Sequence, residues 1–129
     1  MKKKAKKLTK PQKLANALES VANDIESGDL LPGQNKAFTE EGAPVCALGH
    51  AFARSKLLSK KDIKKVGPYD SQLLREAVDF TQDDLYELSL HGHIENVTEA
   101  NDGSGPKHRF SPKKTAKALR KLAEVLKGA

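Results

Sequence analysis

Cys46, the single cysteine of the chain, is the residue best suited to nucleophilic chemistry. The pattern around it predicts the start of a helix, where backbone amides and the helix dipole lower the pKa of a thiol and favour the reactive thiolate. His50 lies one turn later and could face the sulfur as a general base. Further candidates for a base or an orienting group occur elsewhere: His91, His93, His108 and Asn101. No motif of a known cysteine hydrolase surrounds Cys46, and free cysteines commonly pack in cores, so we expect a packing role and no enzyme.

Two histidines, His91 and His93, flank Gly92 and raise the question of a metal site. Side chains two residues apart diverge by about 200° on a helix and point the same way on a strand. Zinc sites need three or four convergent ligands at recognisable spacing, and a single cysteine excludes a cysteine-paired site. We therefore predict histidines in a loop or near a helix end, and we expect no metal or cofactor.

Lysines and arginines near the C-terminus predict an anion-binding surface. The residues that we expect to contact the anion here are Lys107, Arg109, Lys113, Lys114, Lys117, Arg120 and Lys121. Lysines in the first turn of a helix oppose its dipole, so Lys113 and Lys114 do little for local stability and point to another role. A Gly-Ser-Gly loop at 103–105 and free first-turn amides would complete a phosphate site. A mobile N-terminal arm would add further cations: Lys3, Lys4, Lys6 and Lys7.

Charge is segregated along the chain. Residues 1–61 carry twelve Lys and Arg against six Asp and Glu, residues 62–102 carry three against ten, and residues 103–129 carry eight against one. Basic ends of this kind often bind polyanions. We expect the positive side chains of both ends to share one exterior patch that contacts nucleic-acid backbone with little sequence preference, since no base-reading motif accompanies them. The alternative is a solvated surface whose charges pair with one another.

Composition limits the chain to one small helical domain. The 129 residues are 31% charged and 5% aromatic without tryptophan, so the core must be aliphatic, which favours helices. The nearly apolar stretch at 45–53 is too short to cross a bilayer, and no apolar segment follows the first lysines as a signal peptide requires. A single cysteine suits a reducing compartment, so we expect a cytoplasmic protein without membrane contact.

Capping residues and apolar periodicity predict where the helices lie. The predicted helices cover residues 10–27, 44–53, 59–66, 70–78, 81–100 and 111–127. We place Pro44 in the first turn of the second helix, an interruption at Gly92 in the fifth, and a loop over 101–106. We therefore predict an all-α fold, a compact orthogonal bundle of about five or six helices, with 1–9 as a basic flexible arm and 10–129 as a single helical domain.

A family resemblance rests on two short sequences. Cys46 and Gly49 begin and end a Cys-Ala-Leu-Gly sequence at a helix start, and Ala-Asn-Asp, with Asn101 and Asp102, follows about fifty residues later, before an amphipathic last helix. This pattern resembles a family of small uncharacterised helical proteins of bacteriophages and bacteria. The resemblance implies a helical fold, a phage-type origin, and a role for Asn101 and Asp102 in bracing a loop against the second helix. His50 departs from the small residue that is usual at its position.

The sequence therefore favours a non-enzymatic basic binding protein of phage type that docks electrostatically onto nucleic-acid backbone. One alternative is a phage accessory protein that inhibits or modulates an acidic host protein, and a second is a cysteine-dependent enzyme that uses Cys46. If phage-encoded, the protein would act in the host cytoplasm. A homodimer formed through the first and last helices also stays open.

Overall fold

The computed structural model describes residues 7–34, 36–67, 69–102 and 110–129. The helices in these ranges are α1 (Lys10–Ser27), α2 (Ala47–Ser55), α3 (Lys60–Val66), α4 (Asp70–Val78), α5 (Gln82–Glu87), α6 (Leu90–Asp102) and α7 (Pro112–Lys127). The β pairing in the described ranges is an isolated bridge between Phe38 and Pro44. The predicted all-α fold is therefore confirmed, with seven described helices rather than five or six.

Local signals set the ends of α1 as predicted. The Thr9 hydroxyl accepts a hydrogen bond from the Gln12 amide, and the Gln12 side chain accepts one from the Thr9 amide, which completes a capping box. Gly28 ends the helix with φ of 83°, a left-handed conformation that glycine adopts without steric cost. Between these caps the apolar stripe contains Leu14, Leu18, Val21 and Ile25, all buried. Their spacing of three and four residues keeps one face of α1 in the core.

Helices α1 and α7 form the central pair, and α6 and α2 pack beside them. Arg120 of α7 forms an ion pair with Glu26 of α1, and Lys127 forms one with Glu19. Because the later residue of α7 pairs with the earlier residue of α1, the two helices run antiparallel. The buried side of α7 has an apolar stripe of Leu119, Leu122 and Leu126. Burying each leucine contributes about 2 kcal/mol relative to exposure.

The second helix begins later than predicted. Pro44 lies in the bridge with Phe38 rather than in a helical turn, and α2 starts only at Ala47. The reason is that the amides before the helix are used by the preceding segment: Val45 N–H donates to Ala37 O over 2.8 Å, and Cys46 N–H donates to Lys36 O over 3.1 Å. The chain therefore stays extended until Cys46, which becomes the N-cap of α2.

The predicted interruption at Gly92 is also wrong. The chain breaks instead at Leu88 and Ser89, where Ser89 has φ of 53°, and Gly92 lies inside α6. The break rotates the chain so that Leu90 and Ile94 are buried in line with Val97. Helix α6 then continues through Asn101 and Asp102, so the loop predicted over 101–106 is wrong for these two residues, and 103–106 lie outside the described ranges. Within the described ranges, no helix has the length and apolar character that crossing a membrane would need.

Candidate functional site

The exposed side of α7 has a line of lysines that we call the basic ridge: Lys113, Lys114, Lys117 and Lys121. At 100° per residue these positions span an arc of about 100°, opposite the buried leucines. Among the described residues, no carboxylate forms an ion pair with any of the four. Together with Arg120, Glu26 and Glu124 they line one shallow surface depression. The structure thus brings the described part of the predicted C-terminal cluster onto one surface.

Arg120 differs from the other cations of this surface. Its guanidinium forms an ion pair with Glu26 and also donates to Asn23 Oδ1 over 2.8 Å. These contacts hold α1 and α7 together and use the charge that we predicted for an anion. Arg120 is therefore mainly a structural residue, and the ridge depends on its four lysines.

The first-turn amides of α7 are less available than predicted. Pro112 has no amide proton, and the Lys114 amide donates to the Ser111 hydroxyl over 3.3 Å. In the first turn of α7, the Lys113 amide is therefore the backbone donor that the Ser111 hydroxyl leaves uncapped. Lysine side chains, rather than a backbone cradle, must therefore supply most of the attraction for an anion. No acidic residue occupies this first turn, so Lys113 and Lys114 oppose the helix dipole as expected.

The described basic residues of the two ends do not share a patch. In the antiparallel register, Glu26 faces Arg120 and Glu19 faces Lys127. Continuing this register separates Lys10 from Lys113 by about 35 Å along the helix axes, at about 1.5 Å per residue. Lys10 also pairs with Asp79 over 2.6 Å. The prediction of a common patch is therefore wrong for the described residues, because antiparallel packing places the start of α1 beside the end of α7.

Several residues named from the sequence lie outside the described ranges: the predicted contact residues Lys3, Lys4, Lys6, Lys107 and Arg109, and the candidate base His108. Lys7 is described and exposed. Lys7 precedes α1, so it lies toward the end of the α1–α7 pair that is far from Lys113.

Cys46 lies in a setting opposite to that of a reactive thiol. It is 5% exposed, and its Sγ accepts a hydrogen bond from the Gly49 amide over 3.5 Å. Burial is the largest effect and raises the pKa of the Cys46 thiol to about 11, although the Gly49 amide acts in the other direction. The lowered pKa expected at a helix start is therefore not found, because desolvation outweighs the helix-end amides. The thiol is protonated at neutral pH.

Among the described residues, the histidine side chains form neither a hydrogen bond with Cys46 nor a metal-binding group. Burial and the charge of Arg54 lower the pKa of His50, and no hydrogen bond joins its ring to Cys46 among the described residues. His91 is exposed and His93 is half-buried, both near the start of α6. In the described part of the chain, no three His, Cys, Asp or Glu side chains are grouped so that they could hold a metal ion.

Asn101 braces the loop before α2. Its Oδ1 accepts a hydrogen bond from the Ala47 amide over 3.1 Å, and its Nδ2 donates to Gly33 O and to Asp102 Oδ1, each over 2.8 Å. Asn101 is only 1% exposed, so this network satisfies a polar side chain that would otherwise destabilise the core. One residue of α6 thus fixes both the start of α2 and the loop that leads to it.

Gly49 is required by the same junction. A Cβ atom at this position would overlap the backbone carbonyl of Ala37. That carbonyl also accepts the Val45 amide, so it cannot move away without loss of a hydrogen bond. The backbone at Ala37 therefore approaches α2 more closely at Gly49 than any side chain would allow.

Asp70 is half-buried, with its Oδ1 fully buried, which the sequence did not predict. Asp70 and Asp102 line a cavity of about 70 Å³ together with Cys46 and Asn101. Burial, followed by the charge of Asp102, raises the pKa of Asp70 to about 6. An aspartate at a helix start is ordinarily exposed, so no local signal could have shown this.

A scan against protein-family models and searches of curated proteins and of solved structures find no match to the chain. The resemblance to the phage and bacterial family therefore stays a prediction.

Proposed function

We propose that the protein is a non-enzymatic basic binding protein that docks onto nucleic-acid backbone through the basic ridge of α7. The observation that carries the proposal is the group of four exposed lysines on one side of a well-anchored helix, with no ion pair to the described residues. The positive charge of a surface lysine is ordinarily balanced by an ion pair with a carboxylate or by the negative C-terminal end of a helix dipole. Lys113 and Lys114 lie at an unfavourable helix end and form no ion pair with a described carboxylate, although Glu26 and Glu124 line the same depression.

The dimensions of the ridge fit a polyanion. From Lys113 to Lys121 the helix rises about 12 Å, and duplex DNA carries about seven phosphate charges over that length of its axis. Four lysines can therefore contact separate phosphates without distortion of the helix. If about four phosphates are neutralised, a plot of the logarithm of the binding constant against the logarithm of salt concentration should have a slope of about −3.6. Affinity should then fall about 100-fold between 50 and 200 mM salt.

The non-enzymatic part of the proposal is supported by Cys46. Its thiol is buried, has a raised pKa and has no hydrogen-bonded imidazole among the described residues, and each of these features disfavours a thiolate nucleophile. The proposal also retains the phage-type origin that the resemblance implies, and with it a place of action in the host cytoplasm.

Fluorescence anisotropy with a labelled random-sequence duplex, measured across a salt series, tests the proposal. The test variant replaces the four ridge lysines with glutamine, and its matched control replaces four exposed lysines of α3 with glutamine: Lys60, Lys61, Lys64 and Lys65. Both variants lose the same net charge. We expect the ridge variant to lose most of the salt slope and the control to retain most of it.

Two results would overturn the proposal. One is no binding of the wild-type protein to the duplex at low salt, and the other is an equal loss of slope in both variants, which would indicate a net-charge effect. Polyglutamate serves as a second probe. Binding to polyglutamate without binding to the duplex would replace nucleic acid with an acidic protein partner.

A further inference from the structure

Asp70 is the most unusual carboxyl group in the described structure. Its Oδ1 is buried and accepts no hydrogen bond from the described residues. It occupies the first position of α4, whose N-cap, Tyr69, provides no side-chain hydrogen bond. A buried carboxylate oxygen without a donor is costly when charged, whereas a neutral carboxyl group is tolerated far better.

The groups that face Asp70 come from three segments. Asp102 at the end of α6 adds a like charge, Cys46 at the start of α2 adds an uncharged thiol, and Lys36 lies in the loop before α2 with its side chain exposed. Asp102 accepts a hydrogen bond from Asn101 Nδ2, so it is held at the α2–α6 junction. An ionised Asp70 is therefore placed next to the negative charge of Asp102, with one carboxylate oxygen buried away from bulk solvent.

We infer that Asp70 is a proton-operated latch: its neutral carboxyl keeps the first turn of α4 docked against the α2–α6 junction, and its ionised carboxylate loosens that turn. Leu73 and Leu74 are fully buried and anchor the rest of α4, so the opening is limited to the N-terminal part of the helix. This inference is independent of the basic ridge.

The sign of the pH effect follows from linkage. The pKa of Asp70 is raised from 3.8 to about 6 when the turn is docked, so docking is most stable below the lower value and weakens as pH rises through the higher one. If the opened turn restores the ordinary pKa, the opening equilibrium constant rises about tenfold between about pH 5 and about pH 7.5.

Hydrogen exchange of the α4 backbone amides, corrected for intrinsic rates, tests the latch in the full chain. In the wild-type protein, protection of the Leu73 amide, which donates to Tyr69 O and so closes the first turn of α4, should fall about tenfold over that pH interval. Asp70→Asn should remove the pH dependence. The matched control, Asp83→Asn, changes an exposed aspartate in the first turn of α5 and should retain it.

A wild-type protection that does not change with pH, or a fall of the same size in Asp70→Asn, would overturn the latch. NMR titration of the wild-type carboxyl groups gives a second measurement that does not depend on a variant folding. We expect Asp70 to titrate near pH 6, and a midpoint at the ordinary value of 3.8 would refute the inference.

Discussion

Replacing Asn101 with alanine tests whether one side chain holds the α2 start and its preceding loop together. The change leaves the amide of fully buried Ala47 without its acceptor, which costs about 2 kcal/mol. The two bonds from Nδ2 add about 1 kcal/mol together, because Gly33 is exposed and its carbonyl can be hydrated. We therefore expect a loss of about 3 kcal/mol in unfolding free energy, or about 10 °C in melting temperature.

Urea unfolding followed by circular dichroism measures this loss. Asn96→Ala is the matched control, because Asn96 is exposed on the same helix and should change stability by less than about 0.5 kcal/mol. Asn101→Asp adds a sharper test. Its second oxygen would face Gly33 O and Asp102 instead of donating to them, so at neutral pH this variant should be less stable than Asn101→Ala and should recover as pH falls. A loss below about 1 kcal/mol in Asn101→Ala would refute the proposed role of the network.

Two further predictions concern the same junction. Gly49→Ala should destabilise the protein by about 2 kcal/mol, because the new Cβ would overlap Ala37 O. The control is Gly92→Ala, which has open space around the new Cβ within a helix and should stabilise the protein by about 0.8 kcal/mol. Equal changes in the free energy of urea unfolding would contradict the close approach at Gly49. Burial raises the pKa of the Cys46 thiol from 9.0 to about 11. Alkylation of this thiol at about pH 8 should therefore be about 100-fold slower in the folded protein than in the same chain unfolded in urea. Similar rates in the two states would show that the thiol is accessible and ionised.

The break between α5 and α6 shows the limit of sequence periodicity. Glycine is the weaker helix former, so Gly92 was the natural place to expect an interruption. The chain instead breaks at Ser89, which adopts a left-handed conformation that costs more locally. The cost is accepted because it places Leu90 and Ile94 in the core, and that gain depends on helices distant in sequence.

The sequence by itself determined the elements whose signals are local. The caps at Thr9, Gly28 and Ser111 and the apolar stripes of α1 and α7 involve residues within a few positions of one another, so they can be recognised without a structure. The apolar stripe of α7 also identified the lysines of the basic ridge, because side chains on the face opposite a buried stripe are exposed.

Only the tertiary structure decided how distant charges are arranged. The antiparallel packing of α1 on α7 separated Lys10 from Lys113 and paired Arg120 with Glu26, which reduced the predicted patch to the ridge. Folding also placed the half-buried Asp70 beside Asp102, which lies thirty-two residues later in the chain. Long-range packing sets electrostatic environments because charge interactions depend on distance and burial, and neither is specified by neighbours in sequence.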